Sequence, residues 1–128
     1  MPNQYKLNPF TGEPDIVSAG GVTAGTWGAA TTVVIAAGVA ALTGAGYYLI
    51  DTEGAAPTDD LIQITGLSAG DVVVLAPAND ARTVVVKDGV KIQLQGVDFS
   101  LDSQYDRIGL QSVDGDICVE FPSRVSNG

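Results

Sequence analysis

Short runs of β-branched residues, each closed within a few positions by glycine or aspartate, recur from Thr31 almost to the C-terminus. Thr31-Thr-Val-Val-Ile35 is the first, and two substituents on every Cβ crowd a helix but suit a pleated surface. The alanines that follow favour helix, but Gly38 cuts the segment, so it is read as strand. Tyr47 to Asp51 comes next, then Leu61-Ile-Gln-Ile64, with Ile62 and Ile64 placed on one face. Val72-Val-Val-Leu75 and Thr83-Val-Val-Val86 are continuous apolar runs, the pattern of strands covered on both faces. The later runs alternate. Ile92 and Leu94 oppose Lys91, Gln93 and Gln95; Val97, Phe99 and Leu101 oppose Asp98, Ser100 and Asp102. Ile108 and Leu110 follow, then Ile117, Val119 and Phe121 opposite Cys118 and Glu120. Asp88-Gly89 and Asp114-Gly115 lie between such runs as hairpin signals. About nine short strands at this spacing predict an all-β fold of short antiparallel strands, in a sandwich, a barrel or a β-prism-like module.

The first 20 residues, MPNQYKLNPFTGEPDIVSAG, behave differently. They hold three of the six prolines and no apolar period, which predicts an extended N-terminal arm. Tyr5, Leu7, Phe10, Ile16 and Val17 are more apolar anchors than a solvated tail needs, and Pro9 helps to hold the backbone extended. These six residues, Tyr5, Leu7, Pro9, Phe10, Ile16 and Val17, are the candidate docking site for a partner. The expected organisation is an arm with a Gly-rich lead-in over residues 1–30 and one β domain over residues 31–128.

Charge narrows the function. Fifteen acids against six bases give −9, and there is no histidine. That removes the commonest general base, the Ser-His-Asp triad and every histidine metal site. An acidic surface disfavours nucleic acid, whose phosphates are bound chiefly by Lys and Arg. The stretch from Ile16 to Ile50 is uncharged, but Gly and Thr interrupt it and its flanks carry Asp15, Asp51 and Glu53 instead of bases. It is therefore read as no membrane span. No basic n-region with a short apolar core opens the chain, so no signal peptide is read either. Gly and Ala make up 31 of 128 residues against eight aromatics. A core so thin in large side chains, with doubly apolar strands, predicts burial between subunits of an obligate homo-oligomer.

No reactive constellation emerges. Asp51-Thr-Glu-Gly54 departs from the Asp-Thr/Ser-Gly signature of aspartic proteases because Glu53 displaces the glycine; it is read as a strand end and a turn. Asp59-Asp60 is read as turn chemistry. Asp114 to Glu120 lacks the ligand spacing of a calcium loop and is read as a hairpin. No GxGxxG or P-loop appears. Cys118, a lone cysteine expected on the wet face beside Glu120, is read as inert. Trp27 and the Tyr47-Tyr48 pair are read as packing at a subunit contact and not as a sugar platform. The expectation is a structural protein without catalytic residues, cofactor or metal.

Leu7-Asn-Pro-Phe-Thr-Gly-Glu-Pro-Asp-Ile-Val17 resembles the opening of tailed-bacteriophage virion proteins. Gly46-Tyr-Tyr-Leu-Ile-Asp-Thr-Glu-Gly54, Asp59-Asp60-Leu61, Gly70 to Leu75, Ala81 to Gly89, Phe99-Ser-Leu-Asp102 and the Asp114-Gly115 turn are similar, in that order, to a β-rich module of phage fibre and head-associated proteins. The family's small polar run is replaced by Ile62-Gln-Ile64 and its closing tryptophan strand by Ile117 to Phe121. The resemblance implies a non-enzymatic, trimeric virion protein made in the bacterial host cytoplasm. An arm and one β-module suit a capsid cement or decoration protein on the outer capsid surface, with the major capsid protein as partner. The alternative is a short trimeric head- or tail-fibre component, held by a tail or portal protein and binding a host glycan or receptor.

Overall fold

A computed structural model of the chain describes residues 7–9, 12–14 and 29–126. Its strands are β1 (Leu7–Pro9), β2 (Gly12–Pro14), β3 (Thr31–Val34), β4 (Val39–Ala41), β5 (Gly46–Asp51), β6 (Thr58–Leu61) and β7 (Gln63–Thr65). The second half adds β8 (Val72–Pro77), β9 (Thr83–Val86), β10 (Ile92–Gln93), β11 (Phe99–Leu101), β12 (Arg107–Ser112) and β13 (Cys118–Val125). One 3-10 turn, Glu53–Ala55, interrupts them. The all-β fold read from the sequence is the fold observed.

Its arrangement is not the expected one. From β3 to β9 the chain coils, and strands of successive coils pair in parallel: β3 with β5, β5 with β8, β4 with β7 and β6 with β9. Partners Val39↔Gln63, Thr58↔Thr83 and Gly46↔Val73 lie 24, 25 and 27 residues apart, the length of one full coil. This is a short β-solenoid, not a sandwich, barrel or prism of antiparallel strands. Parallel neighbours need a long crossover, and here the crossover is the rest of the coil running along the other walls. Period-two alternation is the same in both kinds of sheet, so the alternation could not separate them. Antiparallel pairing closes the far end. There β11 lies on β9, β12 on β8 and β13 on β12, while β10 runs parallel to β13. The result is one six-stranded sheet, β10-β13-β12-β8-β5-β3, facing a three-stranded sheet, β11-β9-β6, with β4-β7 along the side.

In-register stacking fills the interior with columns of like side chains. Tyr48, Leu75 and Ile108 form one column across three strands, and Leu61, Val86 and Phe99 form another on the opposite wall. All are buried, with Ile35, Ile50, Ile64, Val84, Leu101 and Leu110 between them. A fully buried aliphatic side chain contributes about 2 kcal/mol. Buried Tyr48 donates its hydroxyl to the Gly44 carbonyl at 2.8 Å and accepts from the Thr43 amide at 3.2 Å, so its polar end is satisfied. Where the coils stack at a corner, a Cβ on Gly66 (φ +89°) would lie 1.8 Å from the Leu42 carbonyl oxygen. Only glycine fits there.

Several sequence expectations fail locally, each for a geometric reason. Ile62 does not share a face with Ile64, because the chain turns a corner between β6 and β7, leaving Ile62 exposed and Ile64 buried. Val97 is exposed, since the turn before β11 breaks the alternation that Phe99 and Leu101 keep. Asp114-Gly115 does close a hairpin, β12 to β13, with Asp114 Oδ1 accepting from the Asp116 and Ile117 amides. Asp88-Gly89 does not: β9 pairs with β6 and β11, and the turn only hands the chain on to β10. The uncharged stretch supplies β3 to β5, and no helix among the described residues is long and apolar enough to cross a membrane.

Candidate functional site

Of the six arm residues, Leu7 and Pro9 lie in β1, which pairs antiparallel with β2 in the register Leu7↔Pro14, Asn8↔Glu13 and Pro9↔Gly12. Tyr5, Phe10, Ile16 and Val17 lie outside the described residues, as does Trp27. The arm as a docking site therefore rests on the sequence alone.

The carboxylates are engaged close to home. Asp51, at the end of β5, forms a two-pronged ion pair with Arg82, Nε to Oδ1 and Nη2 to Oδ2, both at 2.9 Å. That bond holds the Asp51 carboxyl below its ordinary range and raises Arg82. It also ties the six-stranded sheet to the start of β9 on the opposite wall. Glu53 Oε1 accepts the Ala37 amide and Asp59 Oδ2 the Glu53 amide, both contacts bracing the coil end. Asp51-Thr-Glu-Gly54 is thus a strand end followed by a turn.

Asp106 is fully buried and accepts the amides of Asp102 and Ser103 at 3.0 Å. Its hydrogen bond to Asp102, with burial, raises the Asp102 carboxyl. Glu120 has a side chain only 2% exposed, and Arg124 grips it through Nη2 to Oε1 at 2.6 Å while stacking 4.9 Å over the Phe99 ring. The Arg124 bond holds Glu120 below its usual value.

Cys118 was expected on the wet face and is instead buried, with its thiol pushed up to about 11 first by burial and then by Asp114 and Asp116. The phase of β13 is shifted by one residue from the alternation read in the sequence. Cys118 and Glu120 pair with Ser112 and Leu110 on the core side, so Val119 faces outward and Phe121 is exposed. Among the described residues no three Cys, Asp or Glu side chains gather as a metal set, and no pocket opens.

What the described surface does offer is one apolar wall. On the outer side of the six-stranded sheet, half-buried Tyr47 and Leu49 of β5 lie beside half-buried Val74 and wholly buried Ala76 of β8, with half-buried Val72 adjacent. Gly109, opposite Val74, is buried where a Cβ would lie 2.5 Å from the Phe121 carbonyl oxygen and 2.9 Å from Pro122, and Val119 lies opposite Gln111. Val34 at one edge is 54% exposed, and Phe121 and Val125 at the other are 47% and 50% exposed. The charges in this wall are Asp51, paired as above, and Arg107. Arg107 stacks 5.6 Å over the Tyr47 ring and donates to the carbonyls of Gln104 and Asp106. The continuous run Val72–Leu75 signalled this wall in advance. Leu49 and Val119 did not stand out, because each sits in a strand that also alternates.

The sequence matches no family model, no curated protein and no solved structure.

Proposed function

We propose that the chain is a non-enzymatic virion structural protein of a tailed bacteriophage, a cement or decoration protein that binds the outer capsid surface and stabilises the shell. It works as a homo-oligomer, a trimer in the first instance, with the major capsid protein as partner and without nucleic acid, membrane, metal or cofactor. The observation that carries the reading is how the described side chains are used. The carboxylates named above are engaged with backbone amides, arginine, lysine or, for Asp102, the Asp106 carboxyl, while a partly exposed apolar stretch of the six-stranded sheet lies on the outside. Such a surface suits binding, and among the described residues no group is held poised to react. The phage setting rests on the resemblance, whose blocks Gly46–Gly54, Asp59–Leu61, Gly70–Leu75 and 81–89 fall on β5, β6, β8 and β9, two consecutive coils. A net charge of −9 suits an outward surface and opposes packing against a genome.

The arm decides the test. Its anchors cannot build a core of their own and gain stability by burial on a neighbour, and many copies together reinforce a shell through multivalency. Full-length protein is added to particles lacking it, beside a variant without residues 1–20, and bound protein is imaged. Labelling over the whole capsid by the full-length chain alone is expected. Equal decoration by the truncated chain removes the arm as anchor. Labelling confined to the tail replaces the cement reading with the fibre reading, in which the partner is a tail or portal protein.

A further inference from the structure

At one end of the solenoid the first strand of each wall, β3, β4 and β6, is an end strand of its sheet and turns an edge away from the stack. A bare edge of main-chain donors and acceptors invites another strand, and folded proteins blunt such edges with charge, proline or a covering loop. Two of the three are blunted by the chain itself. On β4, Val39 and Ala36 each donate an amide to the other's carbonyl, at 3.0 and 2.9 Å. On β6, Asp59 folds back so that its Oδ1 accepts the Asp60 amide at 2.9 Å and its Oδ2 the Glu53 amide at 2.8 Å. The third edge, β3, has no such device. Ile35 donates its amide to the Asp51 carbonyl of β5, and main-chain groups alternate along a strand, so those of Thr31 and Val33 also turn toward β5. The amides and carbonyls of Thr32 and Val34 therefore point away from the sheet, and no bond among the described residues meets them. The strand holds no charge, proline or glycine, and Thr31, Thr32 and Val34 are exposed.

We infer that the strand this edge accepts is the chain's own residues 22–27, paired antiparallel with β3. Area selects the occupant. The edge is four residues, about 13 Å, long. A strand laid on it buries on the order of 300 Å², against the roughly 1,000 Å² that a free-standing partner or a second copy needs. A contact that small holds only when the added strand is tethered, since a short tether gives it an effective concentration in the millimolar range. The chain supplies the tether: residues 15–28 lead into a bend at Ala29, just ahead of Thr31. A connection so short permits only the antiparallel sense, because parallel neighbours need a crossover of about a dozen residues or more. Composition agrees. No proline and no charge falls between Asp15 and Asp51. Every residue of Val22-Thr-Ala-Gly-Thr-Trp27 thus has an amide to donate, and none brings a like charge to Asp51 or Glu53. The pairing needs neither the virion setting nor the homo-oligomer, and it leaves the arm residues up to Val17 available to a partner.

Amide hydrogen exchange on the full chain, read residue by residue by NMR, tests it. Exchange is carried out at low micromolar and at millimolar concentration. The Thr32 and Val34 amides are expected to exchange about 100-fold more slowly than open amides, and equally so at both concentrations. A second full-length sample carries Thr23→Pro and Thr26→Pro. These positions differ in parity along a strand, so whichever set of amides faces β3, one of the two prolines removes a donor. The double variant should return Thr32 and Val34 to fast exchange while the amides of β8, inside the sheet, stay protected. Fast exchange at Thr32 and Val34 in the unaltered chain overturns the inference, because the edge is then open. Protection that appears only at millimolar concentration overturns it in favour of a second copy. Protection that survives both prolines overturns it as well, since a different segment then lies on β3.

Discussion

Leu75 of the six-stranded sheet and Val86 of the three-stranded sheet hold equivalent places: both are wholly buried, each in the middle of a three-residue column. One residue to either side the two walls part. Next to Leu75 the outward-directed positions are half-buried Val74 and wholly buried Ala76; next to Val86 they are half-buried Val85 and Lys87, with exposed Asp60 and Ser100 beside Val85. The lesson is that inward faces are set by the core, which treats both walls alike. Outward faces are set by what lies outside, which is water for one wall and, on the present reading, protein for the other.

The largest effects should be the same on both sides. Leu75→Ala is expected to cost about 3 kcal/mol and Val86→Ala about 2 kcal/mol in urea unfolding, in proportion to the methyl groups lost. A much smaller cost on one wall would mean that its interior is not packed as described. Next comes the end of the core, where Glu120→Gln leaves Arg124 without its carboxylate and should cost about 2 kcal/mol. Thermal unfolding at neutral pH measures it, and a loss near zero would show that the Arg124 stack on Phe99 holds β13 without the ion pair.

The outer faces are where the walls should diverge. Leu49→Asp puts a charge into the apolar wall and should raise the dissociation constant of the oligomer about 30-fold, read by sedimentation. Ser100→Asp is expected to leave association unchanged and stability within about 0.5 kcal/mol. Equal effects at the two positions would erase the distinction between the walls.

The smallest effect is the response to acid. Asp51, Asp98, Asp114 and Glu120 all have folded values below their ordinary ones, near 3.8 for aspartate and 4.5 for glutamate. Their contribution is complete above those ordinary values and is lost as pH falls through the lowered ones. Asp102 works the other way: its contribution is complete below 3.8 and disappears as pH rises through its raised folded value. The urea midpoint should therefore decline below about pH 4, and Asp51→Asn should flatten that decline. A midpoint that climbs steadily into acid would give Asp102 the larger share.

Strand positions were legible because β-branched runs bounded by glycine and aspartate are a local property, felt over the residues of one strand. Thr31 to Val34, Val72 to Leu75 and Thr83 to Val86 fall where the sequence puts them. The hairpin at Asp114-Gly115 was legible for the same reason, since its turn is closed by the Asp114 side chain and residues within three positions of it. The direction of each neighbour was not, because Val39 meets Gln63 and Thr58 meets Thr83 only after a whole coil has closed. The phase of β13 shows the limit most sharply. Alternation says that one set of side chains is inside, and it takes the apolar set to be that one. With an apolar wall outside as well, that rule loses its meaning, and pairing with β12 turned Cys118 and Glu120 inward and Val119 out. Local side-chain sterics wrote the strands into the sequence; which face of a strand is the inside depends on contacts between residues far apart in the chain, and those exist only once the chain has folded.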